Sequence, residues 1–177
     1  MILDLFIRTS KTYPPLRREM FYLTLRRWEL EPVYIHLFHN VGIREGRERA
    51  EQEASSEIYI FTDDDVLPVG KKWVERGLAI MQAHPEYAVC STLSLIEGEN
   101  IAKGDGDVYP MHMVGAPMWI RKGVLSDLPE MDLNNECGKI HDYVLAKGFK
   151  EGLLSNSLRH NHIGSAFSSN PGLHWGF

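Results

Sequence analysis

The chain has 177 residues, of which 44% are hydrophobic, so it is long enough and apolar enough to bury the core of one domain. Its formal net charge is −5 and its basic residues are spread along the chain, which argues against a nucleic-acid partner. The two cysteines, Cys90 and Cys137, lack metal-type spacing, and no apolar run reaches the roughly 18 residues of a membrane span, so we expect one cytoplasmic domain over residues 1–177.

The first half of the chain alternates predicted strands with predicted helices. Short apolar, β-prone runs indicate the strands, and apolar residues at helical spacing indicate the helices. In chain order the segments are strand 2–7, a helix from Pro14 to the residue before Pro32, strand 32–38 and helix 47–55. A third strand follows, which begins with the apolar run 58–61 and ends at Asp63. This order predicts a mostly parallel, Rossmann-like sheet with helices on both faces.

The second half is less regular. Its predicted segments are helix 73–83, strand 87–95, strand 113–120, helix 138–146 and strand 152–159. Residues 97–110 are rich in glycine and charge, as in a surface loop or active-site flap. We expect residues 160–177, which hold three histidines and several serines, to form a C-terminal loop or lid.

Three adjacent aspartates mark a candidate site. Asp63, Asp64 and Asp65 come directly after the third strand, and ligands of such sheets bind beyond the carboxyl ends of the strands. Carboxylates this close repel one another unless a cation intervenes, and their hard oxygens suit Mg²⁺ or Mn²⁺. The competing interpretation is a solvated turn, in which aspartate is common.

The segment "FTDDDVLP" resembles the DxD region of nucleotide-sugar-dependent glycosyltransferases of the GT-A fold, especially glycosyltransferase family 2. Upstream, "HNVGIREGRERAEQEASSEIYI" is similar to that family's helix with glycine and arginine before the DxD strand. Downstream, "VGAPMWIRKGVLSDL" and "MDLNNECGKIHDYVLAKGFKEGLL" resemble its donor-sugar strand and its acceptor-side helix. The resemblance spans most of residues 2–165 and implies the GT-A fold.

The resemblance also implies a metal site. By its pattern Asp65 binds Mn²⁺ or Mg²⁺ directly with help from Asp63, while Asp63 or Asp64 meets the nucleotide ribose. His162 or His160 would complete the metal shell, and His162 matches the family's His-x-Gly pattern better.

The same pattern supplies a catalytic base. Asp142 occupies the place of the aspartate in the family's Glu-Asp pair, although His141 replaces the glutamate. Glu136 is the second candidate. If Asp142 accepts the proton of the acceptor hydroxyl, displacement is direct and the anomeric configuration inverts.

Residues expected to bind the donor are spread over several segments. They are Arg8, Thr9, Asn40, Arg47 with Arg49 as an alternative, Asp63, Asp64, Gly115 and Ala116. The family's Asp-Asp-Gly-Ser after the second strand is replaced by "HNVG", so the acidic residue that commonly recognises uracil is absent from that place. Its absence leaves uridine specificity open, and we expect a donor that is either UDP-linked or GDP-linked.

The sequence thus predicts a metal-dependent glycosyltransferase that transfers a sugar to a carbohydrate or other hydroxyl acceptor. A nucleotidyltransferase is an alternative, but "RTSKTYPP" after the first strand lacks the glycine-rich loop of such enzymes. A second alternative is a non-catalytic module that binds a nucleotide or a sugar.

Overall fold

A computed structural model describes residues 2–9, 15–39, 41–94, 108–111, 117–127, 142–150 and 152–162. The three named helices are α1 (Pro15–Trp28), α2 (Ile43–Glu53) and α3 (Trp73–Ala83). The strands are β1 (Leu3–Thr9), β2 (Val33–His39), β3 (Ile58–Asp63), β4 (Val66–Val69), β5 (Val89–Ser94), β6 (Val108–Met111), β7 (Met118–Arg121) and β8 (Gly152–His162). Residues 142–146 are also helical.

The strands form one eight-stranded sheet. Its order is β2-β1-β3-β7-β5-β8-β4, and β6 pairs with β8. Five strands (β2, β1, β3, β5 and β8) run in one direction, and β7, β4 and β6 run in the other. The prediction of a mostly parallel sheet is confirmed, since five of the eight strands run in the same direction. The antiparallel strand β7 lies between β3 and β5.

Alternate residues of the central strands supply two separate cores. Phe6, Tyr59 and Phe61 pack on one face with Ala50 of α2 and with Ala54, the residue that follows the helix. On the other face, residues of β1, β3 and β7 pack against α1 and α3, among them Leu5, Ile60, Trp119, Trp28, Trp73 and Met81. The strict alternation follows from the two-residue period of a strand. Helices therefore cover both faces, as the sequence predicts.

Asp4 of β1 binds the connection between α2 and β3. Its carboxylate accepts hydrogen bonds from the backbone N–H and hydroxyl of Ser55, both at 2.8 Å, and from the backbone N–H of Ser56 at 3.1 Å. His36 Nε2 lies 2.9 Å from its other oxygen. Burial raises the pKa of Asp4, but the hydrogen bonds from Ser55, His36 and Ser56 outweigh burial and hold that pKa well below its usual range.

Several boundaries differ from the sequence predictions. Helix α2 begins at Ile43 instead of residue 47, and residues 108–110, predicted as part of a loop, belong to β6. Strand β8 continues through His162, so the first three residues of the predicted tail are strand. The predicted strand 113–120 is described only from residue 117, and the rest of the tail, 163–177, lies outside the described residues.

No helix in the described part of the chain is long and apolar enough to cross a membrane.

Candidate functional site at the carboxyl edge of the sheet

The carboxyl ends of β2, β1 and β3 lie side by side. In the parallel register Thr9 pairs with His39, and Arg8 pairs with Asp63. The sheet therefore brings the predicted donor-binding residues of β1 next to the first aspartate of the triplet.

Arg8 and Asp63 form an ion pair at this edge. Arg8 Nη2 and Nε lie 2.7 and 2.8 Å from Asp63 Oδ1, and the two side chains are 17% and 25% exposed. Gly46 of α2 gives Arg8 room, because a Cβ there would lie 3.4 Å from Arg8 Cδ and 3.3 Å from Phe61 Cζ. The ion pair commits one carboxylate oxygen of Asp63 to a cationic side chain.

Asp64 and Asp65 form the turn between β3 and β4. Their exposures are only 3% and 7%, and the backbone N–H of Asp64 donates to Arg8 O at 3.1 Å. A solvated turn, the alternative interpretation of the triplet, does not fit this burial. Buried carboxylates require compensating partners, and oxygen ligands of this kind suit a hard divalent cation.

Strand β8 brings the candidate histidines to the same turn. His162 pairs with Val66, the residue after Asp65, and His160 pairs with Pro68. The backbone thus places His162 beside the acidic turn, as a metal ligand would need to be. The described part of the chain contains no group of three or more His, Cys, Asp or Glu side chains that could hold a metal ion.

Thr9 and His39 form a second polar pair at the edge. The Thr9 side chain is buried, and its hydroxyl donates to Phe38 O at 3.3 Å and lies 3.2 Å from His39 Nδ1. His39 itself is exposed. His39 was not predicted from the sequence as a site residue. Its position directly after the second predicted strand could have indicated it, because ligands bind beyond the carboxyl ends of such strands.

Arg47 lies in the interior, with 5% exposure, and its guanidinium carbon is 5.8 Å from the centroid of the Phe61 ring. Nearby, the Tyr59 hydroxyl donates to Glu51 at 2.8 Å. Burial and then the charge and hydrogen bond of Glu51 raise the pKa of Tyr59 well above its usual range, and the charge of Arg47 partly opposes this rise. Arg47 is therefore on the inward face of α2.

Arg49 stacks over the Phe38 ring at 4.3 Å from its centroid and pairs with Glu53.

Asp142 is exposed at the start of the described helical segment 142–146. This segment is held by the turn after β7, since Tyr143 donates to Ser126 O, and Lys147 Nζ lies 3.0 Å from Gly123 O. That turn follows Arg121, which pairs with the first residue of β3, so the anchor lies at the edge opposite Asp63. Four other predicted site residues, Asn40, Gly115, Ala116 and Glu136, lie outside the described residues.

No protein-family model and no curated protein sequence matches the chain. Solved structures do resemble it. A197 from STIV aligns with a TM-score of 0.58 at 13% identity, covering 90% of this chain and 84% of that chain. GalNAc-T7, solved with UDP, GalNAc and Mn²⁺, aligns with a TM-score of 0.57 at 11% identity, covering 90% of this chain and 43% of that chain.

A putative glucose-1-phosphate thymidylyltransferase from Bacillus anthracis also aligns, with a TM-score of 0.54 at 8% identity, covering 100% of this chain and 98% of that chain. The chain spans less than half the length of GalNAc-T7. At these identities the likenesses show the fold alone, which is GT-A-like.

Proposed function

We propose that this protein transfers a sugar from a nucleotide-sugar donor to an acceptor hydroxyl in a reaction that depends on Mn²⁺ or Mg²⁺. The observation that carries the proposal is the pair of buried aspartates, Asp64 and Asp65, directly after the Arg8–Asp63 ion pair at the carboxyl edge. In sheets of this kind that edge is where ligands bind. The GT-A-like fold supports a nucleotide-sugar as the ligand.

The chemistry of the β3–β4 turn fits a hard divalent cation. We assign Asp65 as the principal carboxylate ligand, and His162 or His160 as the candidate co-ligand, because β8 pairs with β4 there. Asp63 has one oxygen held by Arg8, so we assign it mainly to the donor ribose, with a lesser share in the metal site. When bound, the cation would offset the charge of the diphosphate leaving group.

The remaining roles belong to the chain's own side chains. Arg8 would hold the donor diphosphate or ribose at the end of β1. Asp142 would accept the proton of the acceptor hydroxyl, which requires the start of its helical segment to reach the donor from an anchor at the opposite edge of the sheet. The acceptor oxygen then bonds to the anomeric carbon as the bond from that carbon to the diphosphate oxygen breaks. The products are an inverted glycoside and a nucleoside diphosphate. Glu136 remains the second candidate for the base.

The proposal is tested by measuring nucleoside diphosphate release from a panel of UDP- and GDP-sugars with MnCl₂. We expect turnover that Asp65→Asn abolishes and that Asp142→Asn lowers by about 10²-fold or more, the usual contribution of a general base. Glu75→Gln is the control, because Glu75 is an exposed α3 residue whose ion-pair partner among the described residues is Lys72 at the surface. Turnover that survives in Asp65→Asn would refute the assigned site.

A nucleotidyltransferase is the second candidate, favoured by the fold similarity to the thymidylyltransferase. The two reactions leave different products. A nucleotidyltransferase given a nucleoside triphosphate and a sugar phosphate releases pyrophosphate, whereas the proposed enzyme releases a nucleoside diphosphate from a finished nucleotide-sugar. Pyrophosphate release without nucleotide-sugar turnover would replace the proposed function with this one.

A further inference from the structure

We propose that β2 is the surface through which two copies of this chain associate, by antiparallel pairing of the strand with its counterpart. The two sheets would then join into one sheet that runs across the dimer. The inference is independent of the proposed function, because it rests on the edge strand and not on the acidic turn.

Strand β2 is an edge strand without the features that usually prevent edge-to-edge pairing. Among the described residues it pairs with β1 and with no other strand. The edge strands β4 and β6 have four residues each and contain Pro68 and Pro110. By contrast, β2 has seven residues, "VYIHLFH", with no proline and no Lys, Arg, Asp or Glu. Two copies of a chain of net charge −5 can therefore approach along this strand without repulsion between its own side chains.

Backbone groups of alternate β2 residues point away from the sheet. Pro32 O accepts a hydrogen bond from Leu3 N–H of β1, and Phe38 O lies 3.3 Å from the Thr9 hydroxyl of β1. The even-numbered residues of β2 therefore direct their backbone groups to β1, because these groups alternate between the two sides of a strand. The residues that direct theirs outward are Val33, Ile35, Leu37 and His39.

One antiparallel register pairs all seven residues of β2 with the same seven residues of a second copy. It places the two-fold axis at His36, the central residue of the strand. Ile35 then lies opposite the partner's Leu37, and the two exchange backbone hydrogen bonds in both directions because both point outward. At the ends of the ladder, Val33 O would accept a hydrogen bond from the N–H of the partner's His39.

Near the axis, apolar side chains of β2 face apolar side chains. On the face covered by α2, Tyr34, which is 60% exposed, would lie beside the partner's Phe38. On the other face, Ile35 would meet the partner's Leu37, which is 36% exposed in the single chain. Apolar side chains directly opposite each other stabilise antiparallel strands. Pairing therefore covers two large hydrophobic side chains that a single chain leaves exposed.

His36 would face the partner's His36 across the axis. Its Nε2 lies 2.9 Å from Asp4 Oδ1, and its ring stacks on Phe6 with the centroids 4.5 Å apart, so each imidazole is held against its own chain. Residues opposite each other at such a position, which is not hydrogen-bonded, have Cα atoms about 4.5 Å apart, a separation that a disulfide can bridge. A cysteine at this position can therefore locate the axis.

Sedimentation velocity of the full chain at concentrations up to about 100 μM tests the association. We expect a concentration-dependent dimer with twice the mass of the chain. Tyr34→Lys and Leu37→Lys should each raise its dissociation constant by about tenfold or more, because each places a charge on the edge strand. Leu23→Lys, at a 52% exposed α1 position, is the control and should leave the constant unchanged. Tyr34→Lys is expected to fold, since Tyr34 is exposed.

Cysteine variants in a Cys137→Ser background test the register. Under mild oxidation, His36→Cys should form a disulfide between two copies, whereas Tyr34→Cys should not, because Tyr34 lies opposite the partner's Phe38. A monomer at every concentration overturns the inference, whether another segment of the chain covers β2 or none does. Dimers that persist unchanged in both lysine variants overturn it as well. So does a disulfide from Tyr34→Cys with none from His36→Cys.

Discussion

Glu51 makes buried polar contacts one helical turn from Arg47, which is also buried. The Glu51 carboxylate, with 6% exposure, accepts a hydrogen bond from Tyr59 and one from the backbone N–H of Gly123. A carboxylate in such a place is stable only with partners that compensate its charge. The charge of Arg47 opposes the rise in the pKa of Tyr59 that burial and Glu51 cause.

Removing the Tyr59 hydroxyl should therefore cost stability. In Tyr59→Phe the Glu51 carboxylate loses a buried donor, and we expect the free energy of unfolding to fall by about 1–3 kcal/mol. Urea unfolding followed by circular dichroism measures the change. Tyr34→Phe is the matched control, since Tyr34 is 60% exposed. Equal stabilities for the two variants would show that the hydroxyl contributes nothing.

Some positions at the candidate site could be predicted from the sequence and others could not. Asp63 to Asp65 could be placed at the ligand edge because the apolar run 58–61 before them leaves little doubt about the strand. A role of Arg47 in donor binding stays a prediction; its burial could not be foreseen, because a sequence does not show which arginine of a helix packs inward. The Arg8–Asp63 ion pair could not be foreseen either, because it depends on the register of β1 against β3.

Helix α3 approaches the sheet closely at Gly77. A Cβ added at Gly77 would lie 2.1 Å from Trp119 Cε2, so the glycine is needed for the contact between α3 and β7. Trp119 also packs against Trp73, with ring centroids 5.6 Å apart, and is fully buried. The helix therefore rests on an aromatic layer that has no room for one more carbon atom.

Gly77→Ala should destabilise the protein although alanine favours helices. Overpacking costs typically about 1–3 kcal/mol and should exceed the gain of about 1 kcal/mol from helix propensity. Thermal unfolding measures the balance. As a control, Ala79→Gly at an exposed α3 position should cost only the propensity difference. A more stable Gly77→Ala protein would mean that α3 can shift away from Trp119 at no cost.

Asp4, which binds the α2–β3 connection, should make the protein less stable at low pH. Because the folded-state pKa of Asp4 lies below its unfolded value, its contribution is fully present above about pH 5 and is lost as the pH falls towards the folded pKa. Asp4→Asn should be less stable than wild type at neutral pH by about 1–3 kcal/mol and should lose less on acidification.

Urea unfolding of both proteins between about pH 3 and pH 7 measures this difference. Asp127→Asn, which alters an exposed aspartate in the turn after β7, is the control. Parallel pH curves for wild type and Asp4→Asn would contradict the role given to Asp4.

Strands β4 and β6 were not predicted from the sequence, and the reason is the same for both. Strands β4 and β6 have four residues each and contain Pro68 and Pro110, which argue against a strand. Both strands pair on one side with β8 only, among the described residues, and proline is tolerated at such edges. Similarly, Gly46 in the first turn of α2 weakens the helical pattern, yet its missing side chain admits Arg8 and Phe61.

At the scale of the whole molecule, the sheet gathers distant segments at one edge. Arg8, His39, the aspartate triplet and the end of β8 come from four strands spread over the chain, and the register of the sheet brings them together. The strand order with its reversed β7 was not visible in the sequence, because a short apolar run does not reveal its direction. The edge itself was predictable, because the carboxyl ends of parallel strands share it.

The central claim is that this edge binds a nucleoside diphosphate through the acidic turn and a divalent cation. The most direct test is the melting temperature of the full chain with UDP or GDP, each with and without MnCl₂. A ligand at 100 times its Kd adds about 2.7 kcal/mol, a rise of roughly 5–10 °C for a domain of this size. We predict such a rise for one nucleotide in wild type and in Glu75→Gln, only with Mn²⁺, and its loss in Asp65→Asn. An equal rise in Asp65→Asn, or none with either nucleotide in wild type, would contradict the account.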